Sequence, residues 1–231
     1  MYKAKEFVVL IFGALILGFF LSLVFPGWNI TLESFLLNSL LVFIMFFIFS
    51  GVQKLVALSF DCNTQINFMN MNRYWVRPHD TFGFDFPIWI ILVLLTTFLT
   101  AGKFVWTGIL NFNVTPLKTR VKHQFSEPNE EDIAKIASAG PLALMIFGLI
   151  MRIVGFNSYA TLCVLTSFLL LLPFGNGSKM FAGMRNTGIF ILVLALAVLV
   201  LMHLTTVIVT IIIALIIAMI AFIIYYKLAG K

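Results

Sequence analysis

The chain has 231 residues, 61% of them hydrophobic and 10% charged, whereas a water-soluble domain has roughly 45–50% apolar and about 25% charged residues. With a mean hydropathy of +1.08, this composition excludes a soluble globular fold. No polar stretch is long enough for a separate soluble domain, so residues 1–231 are expected to form one membrane domain. The 15 Lys plus Arg against 9 Asp plus Glu, net +6, read as topology, because cytoplasmic loops near a membrane collect basic residues. No basic patch interleaved with aromatics points to nucleic acid.

A membrane-crossing helix needs about 20 mostly apolar residues at 1.5 Å rise each. Phe7 to Phe25 meets that need and, with no small-residue cleavage site after Met1 to Glu6, reads as a retained first helix, not a signal peptide. Phe35 to Ala57 is the second span, with Lys54 near its end. The polar segment Ser59 to Phe86 carries Arg73, Arg77 and His79, which places this loop and the N-terminus on the cytoplasmic side. Pro87 to Leu110 is apolar but holds Thr96, Thr97, Thr100, Gly102 and then Lys103. The following loop, with Lys118, Arg120, Lys122 and Lys135, is also basic, so the segment is expected to be broken or re-entrant. Such backbone is tolerated only where protein or a wet cavity covers it.

The acidic run Glu130-Glu131-Asp132 favours a helix start through the macrodipole, and a span follows from Ile133 to about Ile153. Asn157 to Leu172 brings the chain back. Thr187 to Tyr226 is about 60 Å long if helical, twice the hydrocarbon thickness. It must turn once, at His203-Leu204-Thr205-Thr206, which leaves the C-terminus on the cytoplasmic side. The expected fold is therefore an all-α polytopic membrane protein with about six transmembrane helices plus the broken segment. Within it, residues 35–185 form a core and residues 187–226 a C-terminal helical hairpin.

Cys62 and Cys163 form neither a CxxC nor a Cys/His cluster, so a disulfide framework is not expected. His79, His123 and His203 show no metal-ligand spacing. Ser50, Ser138, Ser167 and Ser178 lack a partner Lys or His at persuasive spacing, and small polar residues in membrane helices usually serve packing. Gly140-Pro141 lies inside an apolar helix, where the proline removes one backbone donor and predicts a kink or local opening. Pro173 opens a Gly-rich turn, with Asn176-Gly177 following, that can aim Asn176 back at the bundle.

Taken together, a span ending in Lys54-Leu55-Val56-Ala57, then Ala139-Gly140-Pro141-Leu142, then Leu172-Pro173 leading into Gly177-Ser178-Lys179, resemble the site-2 protease family of intramembrane zinc metalloproteases. The resemblance covers roughly Phe35 to Arg185. In that family the second span carries His-Glu-x-x-His, and the matching stretch here is Phe49-Ser50-Gly51-Val52-Gln53. A third ligand is the aspartate of an Asp-Gly pair, matched here by Asn176-Gly177. The family motif also places an asparagine three residues after its proline, where this chain has Leu144.

Catalytic zinc needs about three His, Asp, Glu or Cys ligands with an open position for water. Phe49 offers none, Gln53 and Asn176 are neutral amides, and Ser50 replaces the general-base glutamate. Without the metal, water keeps a pKa near 15.7 and is no nucleophile at neutral pH. The expectation is thus no cofactor, with zinc lost, and no catalytic residue at the degenerate positions Phe49, Ser50, Gln53 and Asn176. The resemblance implies a groove formed by Gln53, Gly140, Pro141, Pro173, Asn176 and Gly177. Phe49 and Gln53 share one helix face, and the amides of Gln53 and Asn176 are expected to hydrogen-bond where the metal would sit.

The function implied is a catalytically inactive, site-2-protease-like integral membrane protein that binds or scaffolds a transmembrane partner or client helix amid membrane lipid. Two alternatives stay open. One is a small channel or transporter subunit, suggested by the broken segment and polar residues at membrane depth. The other is an active membrane metalloprotease with an unrecognised metal site. The Asn29-Ile30-Thr31 sequon falls in an expected outer loop.

Overall fold

A computed structural model describes residues 2–24, 31–73, 81–117, 128–173 and 176–229. The sequon's Asn29, the loop histidines His79 and His123, the basic residues Arg77, Lys118, Arg120 and Lys122, and the turn residues Phe174 and Gly175 lie outside them. The chain is mostly helical. In order, the elements are α1 (Ala4–Val24), α2 (Leu32–Ser59), β1 (Cys62–Phe68), β2 (Met71–Arg73), β3 (Thr81–Phe86), α3 (Ile88–Leu99), β4 (Leu110–Pro116), α4 (Glu130–Ile153), α5 (Asn157–Leu171), α6 (Asn176–Gly183), α7 (Arg185–Leu201) and α8 (Val207–Ala229).

By length and composition, four of the described helices can cross a membrane: α1, α2, α4 and α8. Counting the bent pair α5 and α6, whose axes differ by 55°, makes up to five, not about six. α7 has 17 residues, about 26 Å at 1.5 Å per residue and shorter than the ~30 Å hydrocarbon layer. The mostly helical membrane protein expected from the sequence also carries two two-stranded sheets, β1 with β4 and β2 with β3, in stretches read as polar loop or broken span. Their cue lies in the alternation of Cys62-Asn63-Thr64-Gln65-Ile66, where Cys62, Thr64 and Ile66 are buried and the intervening residues are half-buried. Period two marks a half-buried strand.

The chain divides into two compact units: Met1–Phe47 with Ile66–Phe112, and Ile48–Gln65 with Asn113–Lys231. In the first, α1 meets the N-terminal part of α2 through small residues. A Cβ on Gly18 would stand 2.6 Å from Ser39 Cα. Ser22 donates to Gly18 O at 2.7 Å and accepts from Asn38 Nδ2 at 3.1 Å. Close backbone approach with an interhelical side-chain bond is how helices associate where lipid removes any hydrophobic drive.

The segment read as broken doubles back. α3 has 12 residues, about 18 Å at 1.5 Å each, too short to cross. The turn after it places Ala101 and Gly102 at φ 50° and 77°, and the chain returns alongside α3 on threonine hydroxyls. Thr96 Oγ1 donates to Leu92 O at 2.7 Å and accepts from Trp106 N at 3.0 Å. Thr100 Oγ1 accepts from Phe104 N at 3.0 Å. These hydroxyls supply the acceptors that a returning extended chain cannot find in itself. Thr96→Val keeps the shape but leaves the Trp106 N–H without its acceptor. A loss of about 1–3 kcal/mol is expected, the cost of an unsatisfied part-buried donor, while Thr96→Ser stays near the parent. Unfolding in detergent measures both.

In this unit Met69 N donates to Ile109 O at 2.8 Å, so Met69 faces β4. Ile66, three residues away, faces the opposite edge of β1. Its N–H donates to Glu6 Oε1 at 3.0 Å, and Glu6 Oε2 also accepts from Lys3 N at 2.6 Å. The first helix thus begins with a buried carboxylate, one residue before the apolar run that marks it in the sequence.

In the second unit, α4 packs with α5 and α6, and α7 with α8. α4 continues through Pro141 as helix. α8 buries Thr210, Ala214 and Ala218, a one-face stripe at four-residue spacing, and turns isoleucines such as Ile208, Ile212 and Ile216 outward. A helix apolar on every face is one made for lipid or a protein interior.

Candidate functional site

The positions matched to the protease motifs fall within the second unit. Phe49 and Gln53, one turn apart on α2, are both fully buried, with 0% exposure. α4 reaches them at Gly140, where an added Cβ would stand 2.6 Å from Phe49 Cδ2 and 2.9 Å from Gln53 Cγ. Only glycine permits that approach. On the neighbouring turn Ser167 of α5 donates its hydroxyl to Pro141 O at 2.7 Å, so α2 and α5 both engage α4 at its Gly-Pro pair.

Asn176 opens α6 and is buried, as is Gly177. A Cβ on Gly177 would fall on the carbonyl oxygens of Leu171 and Leu172, so glycine lets the start of α6 close on the end of α5. Pro173 lies exposed in the turn between them. At the other end of α6, Gly183 leaves no room for a Cβ against Glu130 O at the start of α4.

The expected amide–amide bond is not made. Neither Gln53 Oε1 nor Gln53 Nε2 has a hydrogen-bond partner among the described residues, although both are buried. Phe49, Gln53 and Gly140 come together, but Gln53 and Asn176 are not joined. The Gln53 side chain packs against Gly140, and a planar amide bonds only to a partner in plane and within about 3.2 Å.

Lys54 also departs from the sequence reading, where it marked only the end of a span. It is buried, and its ammonium donates to Thr64 O at 2.8 Å. Leu117 N donates to Asp61 O at 3.0 Å and Thr115 Oγ1 to Asn63 O at 3.3 Å. The odd-numbered residues of β1 here face β4, so Thr64 O lies on the free edge. A charged side chain on that edge blocks further strand pairing. Ser167 carries a similar lesson, since a serine in an apolar run has no sequence signal separating a helix tie from a spare hydroxyl.

The zinc implied by the resemblance does not fit this donor set. Phe49 supplies a ring, Gln53 and Asn176 supply neutral amides, and Ser50 is a buried hydroxyl, whereas zinc sites use thiolate, imidazole or carboxylate. Among the described residues no three His, Cys, Asp or Glu side chains cluster. His203, the one described histidine, is exposed at the turn after α7. Comparison with protein-family models, curated proteins and solved structures gives no match.

Proposed function

We propose that this chain is a non-catalytic membrane protein of site-2-protease-like architecture that holds a transmembrane partner or client segment beside Phe49, Gln53 and Gly140. The observation that carries the reading is the Gln53 amide, fully buried at a helix crossing with neither polar atom bonded among the described residues. Leaving such a group unsatisfied costs about 1–3 kcal/mol. An amide kept at that cost is accounted for by a ligand that bonds to it, and the unwound backbone of a client helix presents the matching N–H and C=O groups. The orientation with both termini cytoplasmic and the protease-like core belong to this same reading.

The test separates stability from binding. Gln53→Met keeps the length of the side chain and removes the unsatisfied amide, so the purified protein is expected to gain about 1 kcal/mol. In cells, a photo-crosslinking residue at Leu55 is expected to capture a single-pass membrane protein in the parent and much less of it in Gln53→Met. Equal capture by both removes the amide from recognition. One tightly held zinc per chain, lost together with peptide cleavage on chelation, would overturn the non-catalytic reading.

A channel or transporter role has less support. The hydroxyls of Thr96 and Thr100, the polar groups that suggested a pathway, are bonded to backbone. Ion flux through the purified protein in liposomes is the measurement that would favour it.

A further inference from the structure

A second site lies at the C-terminal end of α4. A cavity of about 350 Å³ is lined by Arg152, Asn157, Ser158, Thr161, Met202 and His203. Its lining holds an arginine and a histidine and no carboxylate. The guanidinium is fixed by one bond, Arg152 Nη2 to Thr205 O at 2.7 Å, and an arginine has five N–H donors. Thr161 Oγ1 donates to Asn157 O at 3.0 Å within the first turn of α5, which uses its one proton. Asn157 and Ser158 open that helix of 15 residues; Asn157 N donates to Gly155 O at 3.0 Å, and the Ser158 N–H together with the helix dipole favours an anion. Next in sequence to lining residues, Ile153, Val154, Phe156 and Leu204 expose large apolar side chains, Leu204 at 75%.

We infer that this cavity binds a phosphate group, held by the Arg152 guanidinium, His203 and the first turn of α5. A forked guanidinium matches two phosphate oxygens at once, and the helix start and the Ser158 hydroxyl supply donors for the rest. The apolar rim suits a phosphate attached to acyl chains, that is, an anionic phospholipid headgroup. Free inorganic phosphate shares the chemistry but has no use for the rim. This inference is independent of the proposed function, because none of its residues touches Gln53 or Gly140.

The test uses the purified full chain in a neutral detergent, titrated separately with dioctanoyl phosphatidylglycerol, dioctanoyl phosphatidylcholine and inorganic phosphate, with bound adducts counted by native mass spectrometry. One saturable phosphatidylglycerol per chain is expected, with phosphatidylcholine at least about 10-fold weaker. Inorganic phosphate that saturates and competes as strongly as the lipid would assign the site to the free ion, and failure to compete assigns it to the headgroup. Arg152→Gln is expected to weaken binding about 10-fold or more, the usual effect of losing a charge-assisted pair. Because Arg152 also ties down Thr205, Ser158→Asp is the second variant. It adds a like charge at an exposed lining position and should abolish binding while helicity and elution volume stay those of the parent. No saturable adduct with any probe, or phosphatidylglycerol binding unchanged in both variants, would overturn the site.

Discussion

Replacing Gly177 with alanine is expected to destabilise the protein by about 3 kcal/mol, the upper end of ordinary overpacking. The methyl group would be driven onto the carbonyl oxygens of Leu171 and Leu172. Backbone atoms at the end of one helix cannot rotate aside as a flexible side chain can, so α6 must swing away from α5. Asn176, at the first position of α6, moves with it. The expected result is a lowered unfolding midpoint in detergent together with loss of any client crosslink that depends on this part of the chain. An unfolding midpoint within about 0.5 kcal/mol of the parent, the range of an inconsequential surface change, would show that the α5–α6 turn is not closed as described.

Gly140→Val is expected to cost about 2–3 kcal/mol, for a related reason with a softer obstacle. The added carbons meet the Phe49 ring and the Gln53 side chain, and Phe49 is fully buried. Reducing the ring should relieve the clash. In a double-mutant cycle, Gly140→Val combined with Phe49→Ala is expected to lose less than the sum of the two single losses, with a coupling of about 1 kcal/mol or more. Strict additivity would separate the two residues and with them the α2–α4 contact on which the candidate site rests. Gly140→Ala should fall between parent and valine.

These two glycines were visible in the sequence as Gly-Pro and Asn-Gly pairs, but the contacts that require them were not. At 140 the glycine serves a helix crossing, and α4 remains helical through Pro141. At 177 it serves a carbonyl contact across a turn. The hydrogen bond expected between Gln53 and Asn176 followed from residue type and alignment alone, and it fails because burial does not ensure alignment of two planar amides.

Hydrophobic runs of crossing length, the acidic start of α4 and the absence of metal-ligand chemistry at Phe49, Ser50, Gln53 and Asn176 are properties of residue type and order, so the sequence by itself determined them. The broken nature of residues 87–110 was legible for the same reason, since a lysine and a cluster of threonines interrupt an apolar run. Only the tertiary structure decided what those residues bond to: Thr96 and Thr100 to a returning backbone, Lys54 to the free edge of β1, Ser167 to Pro141 O, Arg152 to Thr205 O. Each of these contacts joins groups from separate turns or elements. Composition and periodicity report how far a residue prefers lipid or water, but a hydrogen bond depends on distance and direction, which exist only once the chain has packed.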